Sequence, residues 1–194
     1  MGALANAARQ LKVAFFDSDG VMFPNTVLMG APYKAKYRSY YDGQGISLLR
    51  AIGIRVVFIT NEKGDSAAAI RDTVEKFNSL PSSQPQKANG WPAVIVYEGC
   101  GGVKKLQTAQ VYLAEHGFTL GESSYMGDDL VDVALLRKVA LPAAPAQAEE
   151  LITNLCFSRG GYVSVRSGGE GAIRDFANMI LQLRDIDPLK LPLQ

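Results

Sequence analysis

The sequence predicts an α/β protein, with a mostly parallel sheet covered by helices on both faces. Three observations carry this. Apolar runs of strand length alternate with longer amphipathic stretches along all 194 residues, and β-then-α alternation favours a parallel sheet with helical crossovers. Acidic and hydroxyl side chains stand just after several of the apolar runs, where ligands of such sheets bind, beyond the carboxyl ends of the strands. No internal repeat and no long linker interrupts the pattern. One domain over residues 1–194 is therefore expected, long enough to bury a sizeable core.

The first strand is expected at residues 13–16, the run Val-Ala-Phe-Phe, emptying into Asp17-Ser18-Asp19-Gly20. Residues 22–41 break the alternation. They carry a Gly30-Ala31-Pro32 turn between β-prone pieces at 26–29 and 37–41, which reads as a hairpin inserted after the first strand. A helix follows at 46–52 behind Gly45, then a strand at 56–60 and a helix at 66–80 behind Asp65. Residues 81–92, rich in Pro, Ser, Gln and Asn, read as a surface loop. Next come a strand at 93–97 and a helix at 103–116 stopped by Gly117. A strand at 124–126, a helix at 129–139 and a short strand at 140–143 follow. A helix at 146–155, a strand at 162–165 and a helix at 172–184 opened by Gly171 complete the pattern. The tail 187–194, with two prolines and alternating leucines, is expected to be extended.

Bulk properties narrow the function classes. A formal net charge of +1 supplies no broad basic surface for nucleic acid or an anionic membrane. No apolar stretch approaches the ~20 residues of a membrane span. Residues 1–10 lack the basic-then-apolar order of a secretory leader. Cys100 and Cys156, far apart, make no disulfide framework and suit a reducing cytoplasm. The single His116 excludes a His-based metal cluster within one chain. It also weakens any His-dependent hydrolase, because Leu113-Ala114-Glu115-His116-Gly117 reads as a helix C-terminus with a solvated cap.

Asp17 and Asp19 leave the first strand together, and such a dense negative patch calls for neutralisation, usually by a divalent cation with oxygen ligands. An Asp carboxylate can attack a phosphate ester in line and form an aspartyl phosphate, while a second carboxyl protonates the leaving oxygen and then activates water. The competing readings are a surface Asx turn and a calcium loop. The calcium loop wants an oxygen ligand at its fifth position and Glu at its twelfth, where this chain has Val21 and Leu28. Thr60 and Asn61 end the second strand, where a hydroxyl and a backbone N–H can hold phosphate oxygens. Lys104 and Lys105 open a helix, and a Lys entering the site can neutralise a phosphate, although an exposed helix face is the commoner role. Gly127-Asp128-Asp129, with Asp132 one turn on, places carboxylates at the same sheet edge, or simply caps a helix. Gly99-Cys100-Gly101-Gly102 and Gly168-Gly169-Glu170-Gly171 are glycine clusters without the Gly-Lys-Ser/Thr of a phosphate-binding loop.

The order sharpens the case: Asp-x-Asp, then Thr, then Lys, then Gly-Asp-Asp. This resembles the haloacid dehalogenase-like phosphohydrolase superfamily, with its three-layer Rossmann-like fold. Asp42-Gly43-Gln44-Gly45-Ile46, Lys105-Leu106, Gly127-Asp128-Asp129-Leu130-Val131-Asp132 and Gly168-Gly169-Glu170-Gly171-Ala172-Ile173-Arg174 look like its 3-deoxy-D-manno-octulosonate 8-phosphate phosphatase branch. That branch also includes phosphatases of nine-carbon keto-deoxy sugar acids. The resemblance spans roughly residues 12–183. It implies a cytoplasmic, Mg²⁺-dependent phosphatase of a sugar-acid phosphate, with no cap domain and with the inserted hairpin building a homotetramer.

By position, the resemblance implies Asp17 as nucleophile and Mg²⁺ ligand, Asp19 as general acid/base and ligand through its carbonyl, and Asp128 as a further ligand. Thr60 and Asn61 would hold the phosphoryl group and Lys105 would neutralise charge, with Asp129 and Asp132 supporting. Gly43 and Glu62 would lie at the substrate. The chain departs from the branch at Pro24 and Asn25, at Tyr41 (usually Arg) and at Glu62, which stands in the run where Arg is common. Glu62 removes a fixed cation for a substrate carboxylate and leaves an acceptor for hydroxyls or an amine, which points away from the eight-carbon substrate and towards a nine-carbon acid phosphate or another ester. Two other readings are a non-catalytic relative serving a nucleotide-sugar synthetase as assembly partner, and a phosphoacceptor receiver domain. The receiver places its acidic pair and acceptor in a different order.

Overall fold

The computed structural model describes residues 2–29, 34–84 and 86–192. Its six strands are β1 (Val13–Phe16), β2 (Arg55–Ile59), β3 (Ile95–Tyr97), β4 (Ser123–Met126), β5 (Leu141–Ala144) and β6 (Tyr162–Val163). They form one all-parallel sheet in the order β3-β2-β1-β4-β5-β6. The chain winds outwards in opposite directions from β1, so the carboxyl ends of β1 and β4 border a crevice. Phe16 is level with Phe58 on β2 and Met126 on β4. β1 and β4 therefore end level and β2 one residue later, which releases Asp17, Gly127 and Thr60 close together at one edge.

Among the described residues, seven helices cover the sheet: α1 (Ala3–Gln10), α2 (Tyr40–Ala51), α3 (Ala68–Asn78), α4 (Val103–Glu115), α5 (Val133–Leu136), α6 (Glu150–Ser158) and α7 (Ala172–Leu183). The period-two alternation of a strand divides the core. Ala14 and Phe16 of β1 point into one layer, with residues of α1, α2, α3 and α7, while Val13 and Phe15 point into the other, with α4, α5 and α6. All four residues of β1 are fully buried, each large one worth about 1.5–3 kcal/mol against exposure.

Strand positions agree with expectation to within one or two residues, and four helical features differ. α1 was not expected. Its Ala-rich sequence has high helix propensity, and it buries Ala8 where Arg184 donates to the Ala8 carbonyl at 2.8 Å and Arg9 reaches Leu183 O at 3.1 Å. α2 starts at Tyr40, six residues early, because Ser39 caps it by accepting from Tyr41 N–H. Its internal Gly45 is needed for contact with α7, since a Cβ there would stand 2.9 Å from Arg174 Cα. The 129–139 helix is a 3₁₀ turn (Leu130–Asp132) followed by the single turn α5. α6 starts only at Glu150, because Gln147 bridges Gly20 O at 2.7 Å and Gly168 N at 2.8 Å and Glu149 N binds Asp128 O at 2.9 Å.

Among the described residues, the expected hairpin after β1 shows an antiparallel bridge between Leu28 and Ala35. The Gly30-Ala31-Pro32 turn lies outside the described residues. The 81–92 loop is anchored by the buried Arg50, which donates to Pro92 O, Phe77 O and Ser83 Oγ and stacks on Trp91. The tail is not wholly extended: Pro188–Lys190 makes a 3₁₀ turn capped by Asp187. No helix is long and apolar enough to cross a membrane among the described residues.

Candidate active site

The exit of β1 is shaped by backbone bonds. Met22 N and Phe23 N both bind Ser18 O, at 2.9 and 3.0 Å, closing a tight turn with Gly20 at φ +77°. A Cβ at Gly20 would collide with the Asp128 carboxylate, so only glycine admits Asp128 so close to the Asp17 loop. Gly168 and Gly169 press on Gly20 O and Pro24 from the other side, and Gly169 N donates to Val21 O at 2.9 Å. Gly168 and Gly169 are thus a clamp on this loop.

Lys105 stands at the centre. The first turn of α4 carries it fully inside, where Nζ lies 2.7 Å from Asp17 Oδ2, 2.6 Å from Asp132 Oδ1 and 3.0 Å from Tyr125 Oη. Its neighbour Lys104 is exposed and donates to Gly99 O. Asp132 is saturated: one oxygen takes Lys105 and the Tyr125 hydroxyl, the other the N–H groups of Asp128 and Asp129 at 2.9 and 3.1 Å. Burial and Asp132 hold the Tyr125 phenol well above its ordinary range, so it serves as a donor. Asp129 is exposed and caps Leu130 N at 2.6 Å, the structural role that N-capping anticipates.

Carboxylate oxygens of Asp17, Asp128 and Asp132 lie within 4.8 Å of one another. Burial, then neighbouring carboxylates, pushes Asp128 up to about 7; burial also drives Asp17 up to about 7, against the pull of Lys105. Burial works to lower the Lys105 ammonium, but Asp17 and Asp132 outweigh it and hold it above its ordinary value. Three carboxylates against one ammonium leave an excess of negative charge in a dry site. A hard divalent cation with oxygen ligands fits that donor set. Each Asp132 oxygen already takes two donors, whereas each Asp17 oxygen takes one, from Ser18 N–H or Lys105, so Asp17 and Asp128 would be the groups to face such an ion, and Asp132 positions Lys105 and the loop.

Asp17, Lys105 and Asp128 line a cavity of about 230 Å³ together with Asp19, Asn25, Thr60, Asn61 and Glu62. Thr60 Oγ accepts from Glu62 N–H at 3.1 Å, which leaves its own proton to donate. Glu62 is not the unpaired acceptor expected from its type. Burial pushes its carboxyl up, yet Lys34, ion-paired at 2.7 Å, and Lys36 leave it below its ordinary value. Gly43 does not reach this cavity. It lies on α2 beside Arg38 and Phe77, because the Asp42 carboxylate is turned to cap α7, accepting from Gly171 N and Ile173 N at 2.9 Å. Tyr41 meets Arg166 through its ring. Tyr125 and Lys36, neither singled out in the sequence, join the site. Tyr125 had a local signal, two residues before Gly127 and so on the same face as Gly127 at the end of β4. Lys36 had none.

No family model matches the chain. A curated 3-deoxy-D-manno-octulosonate 8-phosphate phosphatase from Yersinia pestis is 28% identical over 179 residues, covering 92% of this chain and 83% of that protein. The crystal structure of the Yersinia pestis phosphatase of that name superposes with a TM-score of 0.77 at 26% identity, over 94% of this chain and 87% of the other. The Moraxella catarrhalis phosphatase of the same name, crystallised with magnesium, phosphate and KDO, shares the fold at a TM-score of 0.76 and 20% identity, over 92% of this chain and 90% of the other.

Proposed function

We propose that this phosphatase, similar in sequence and fold to haloacid dehalogenase-like 3-deoxy-D-manno-octulosonate 8-phosphate phosphatases, hydrolyses the phosphate monoester of a keto-deoxy sugar acid with Mg²⁺ as cofactor. The observation that carries this is the buried contact of Asp17 with Lys105 beside Asp128, at the mouth of β1 and β4. Asp17, Asp128 and the backbone carbonyl of Asp19 are the groups that would hold Mg²⁺, which when bound neutralises phosphate charge and favours in-line attack.

Asp17 Oδ forms the new bond to phosphorus while the ester P–O bond breaks. Asp19, at the cavity edge, passes its proton to the departing oxygen, then accepts a proton from the water that opens the aspartyl phosphate. Lys105 orients Asp17 and offsets its charge. The Thr60 hydroxyl and Asn61 receive the phosphoryl oxygens. Lys34 beside Glu62 restores a cation near the position where the related enzymes often have Arg, which suits a carboxylate-bearing ester of the octulosonate 8-phosphate or nonulosonate 9-phosphate type. Exposed Leu28, Met29, Tyr37 and Tyr40 support a homotetramer built through the 22–41 insertion on an otherwise capless single domain. A cytoplasmic location accords with the two buried free thiols.

The test is turnover of eight- and nine-carbon keto-deoxy acid phosphates, glucose 6-phosphate and p-nitrophenyl phosphate with Mg²⁺. The acidic esters are expected to exceed the neutral sugar ester by about tenfold or more in kcat/KM. No turnover of any ester ends the proposal.

The raised carboxyls predict a pH-dependent response to the cation. In the metal-free protein the stability contributed by Asp17 and Asp128 is fully present below their ordinary value of 3.8 and is lost as pH rises through about 7. A cation competes with those protons, so its effect grows in the same window. At a hundredfold excess over Kd it adds about 2.7 kcal/mol, or roughly 5–10 °C in a protein of this size. A Mg²⁺-induced melting shift larger at about pH 8 than at about pH 6 is expected; the reverse order contradicts the ligand assignment.

A further inference from the structure

The glycine cluster Gly99-Cys100-Gly101-Gly102, which leads into α4, has no task in the proposed mechanism. Its members are there for different reasons. Gly99 and Gly102 turn the chain through the left-handed region, at φ +63° and +55°. Cys100 is the anchor. It is buried in the core layer that includes Phe15 and Tyr112, where its thiol donates to Glu98 O at 3.3 Å and accepts from the Thr108 hydroxyl at 3.4 Å. Gly101 fits neither account. Its φ is not positive, so the backbone itself admits a side chain at this position.

What excludes one is Asn61. A Cβ at Gly101 would stand 2.6 Å from Asn61 Oδ1 and 3.0 Å from its Cγ, where non-bonded atoms sit best at about 3.5 Å or more. The Asn61 side chain therefore lies directly against the bare face of Gly101. Asn61 is exposed at the rim of the phosphate cavity, so packing from the interior does not place it. The cluster does. Cys100 N–H donates to Thr60 O at 2.8 Å and Gly99 N–H donates to Glu62 O at 2.9 Å. The residues on both sides of Asn61 are thus tied to this loop, and the missing side chain at 101 leaves the space that Asn61 fills.

We propose that Gly101 is a positioning residue for Asn61, giving its amide the one place from which it meets the phosphoryl oxygens. This rests on the reading of Asn61 given above. An amide assists phosphoryl transfer only where its N–H is aimed at oxygen that gains charge, and misplacement by about 1 Å costs up to about 100-fold. A methyl group at 101 meets the free end of the Asn61 side chain, whereas the backbone on either side is held by hydrogen bonds. The side chain is what yields. The loops that carry Asp17 and Asp128 stay where they are, and the damage is confined to what Asn61 does.

The experiment is a double-mutant cycle on wild type, Gly101→Ala, Asn61→Ala and the combined variant. It reads kcat/KM for p-nitrophenyl phosphate with Mg²⁺, competitive inhibition by inorganic phosphate, and the Mg²⁺-induced melting shift. Asn61→Ala is expected to lower kcat/KM about 100-fold and Gly101→Ala about tenfold, each weakening phosphate inhibition in step. The combined variant should match Asn61→Ala to within about twofold, because the methyl group then has nothing to displace. The melting shift should keep its wild-type value throughout, since the carboxylates facing the cation are untouched. The positioning role is overturned, with the phosphatase reading intact, if Gly101→Ala stays within about twofold of wild type, if the two losses multiply, or if its melting shift shrinks. If Asn61→Ala itself stays within about twofold, the assignment of Asn61 and this inference fall together; a wild type that hydrolyses no ester ends both readings. Gly101→Ser carries the same comparison should Gly101→Ala fail to fold.

Discussion

Asp17→Asn is expected to lower phosphatase turnover about a thousandfold or more while leaving the protein folded. The substitution keeps the side-chain volume and one acceptor for the Ser18 N–H, which now bonds Asp17 Oδ1 at 2.7 Å. It removes the atom that would form the phosphoryl bond and a negative charge that would face the cation. Two effects on stability oppose each other. The amide no longer pairs with Lys105 Nζ at 2.7 Å, but one of three crowded carboxylates is gone, and that carboxyl is one that burial drives up to about 7. The Mg²⁺-induced melting shift should shrink along with activity. Steady-state kinetics on p-nitrophenyl phosphate with thermal melts in Mg²⁺ and in EDTA check both parts. Turnover within about tenfold of wild type would move the nucleophile elsewhere.

Lys105→Met is expected to damage stability and activity together. The ammonium is fully buried and joins Asp17, Asp132 and Tyr125. Methionine fills comparable space but leaves two buried carboxylates facing each other. Breaking a buried ion pair from one side costs about 3–5 kcal/mol, roughly 6–20 °C in melting temperature for a chain of this length. The loss should be larger at about pH 8 than at about pH 5, because protonation relieves the facing carboxylates. Turnover should fall about 100- to 1000-fold, as when a positioned charge or donor is removed from a dry site. Lys104→Met is the matched comparison. That side chain is exposed and bonds a loop carbonyl, so a change within about 0.5 kcal/mol is expected. Equal effects of the two substitutions would show that Lys105 does not have the role assigned to it.

The contrast between those lysines shows how much of the site was legible. Asp17, Asp19 and Asp128 could be read directly, because an apolar run, an acidic residue and a glycine are a local signal and all lie at strand exits. Lys105 was half legible. Adjacent residues on a helix point about 100° apart, and which of the pair enters the core depends on where α4 meets the sheet. Glu62 was read by type alone, and its pairing with Lys34 comes from a segment 28 positions away. Gly43, set at the substrate by the resemblance, lies on α2 away from the cavity, because Ser39 caps a helix that runs through Asp42-Gly43-Gln44-Gly45 and the close approach of α7 requires Gly45.

The amino-acid sequence by itself determined the alternation of strands and helices, the parallel sheet and the chemistry gathered at its carboxyl edge. These follow from periodicity, turn residues and residue type, which act over a few positions. Only the tertiary structure decided that Asp132 braces Lys105, that Tyr125 completes that group, that Lys36 returns to Asp19, and that Gly168 and Gly169 clamp the β1 loop. Each of those outcomes joins segments whose meeting depends on the packed sheet, because burial strengthens a charge or hydrogen bond only where distant chain has already excluded the water.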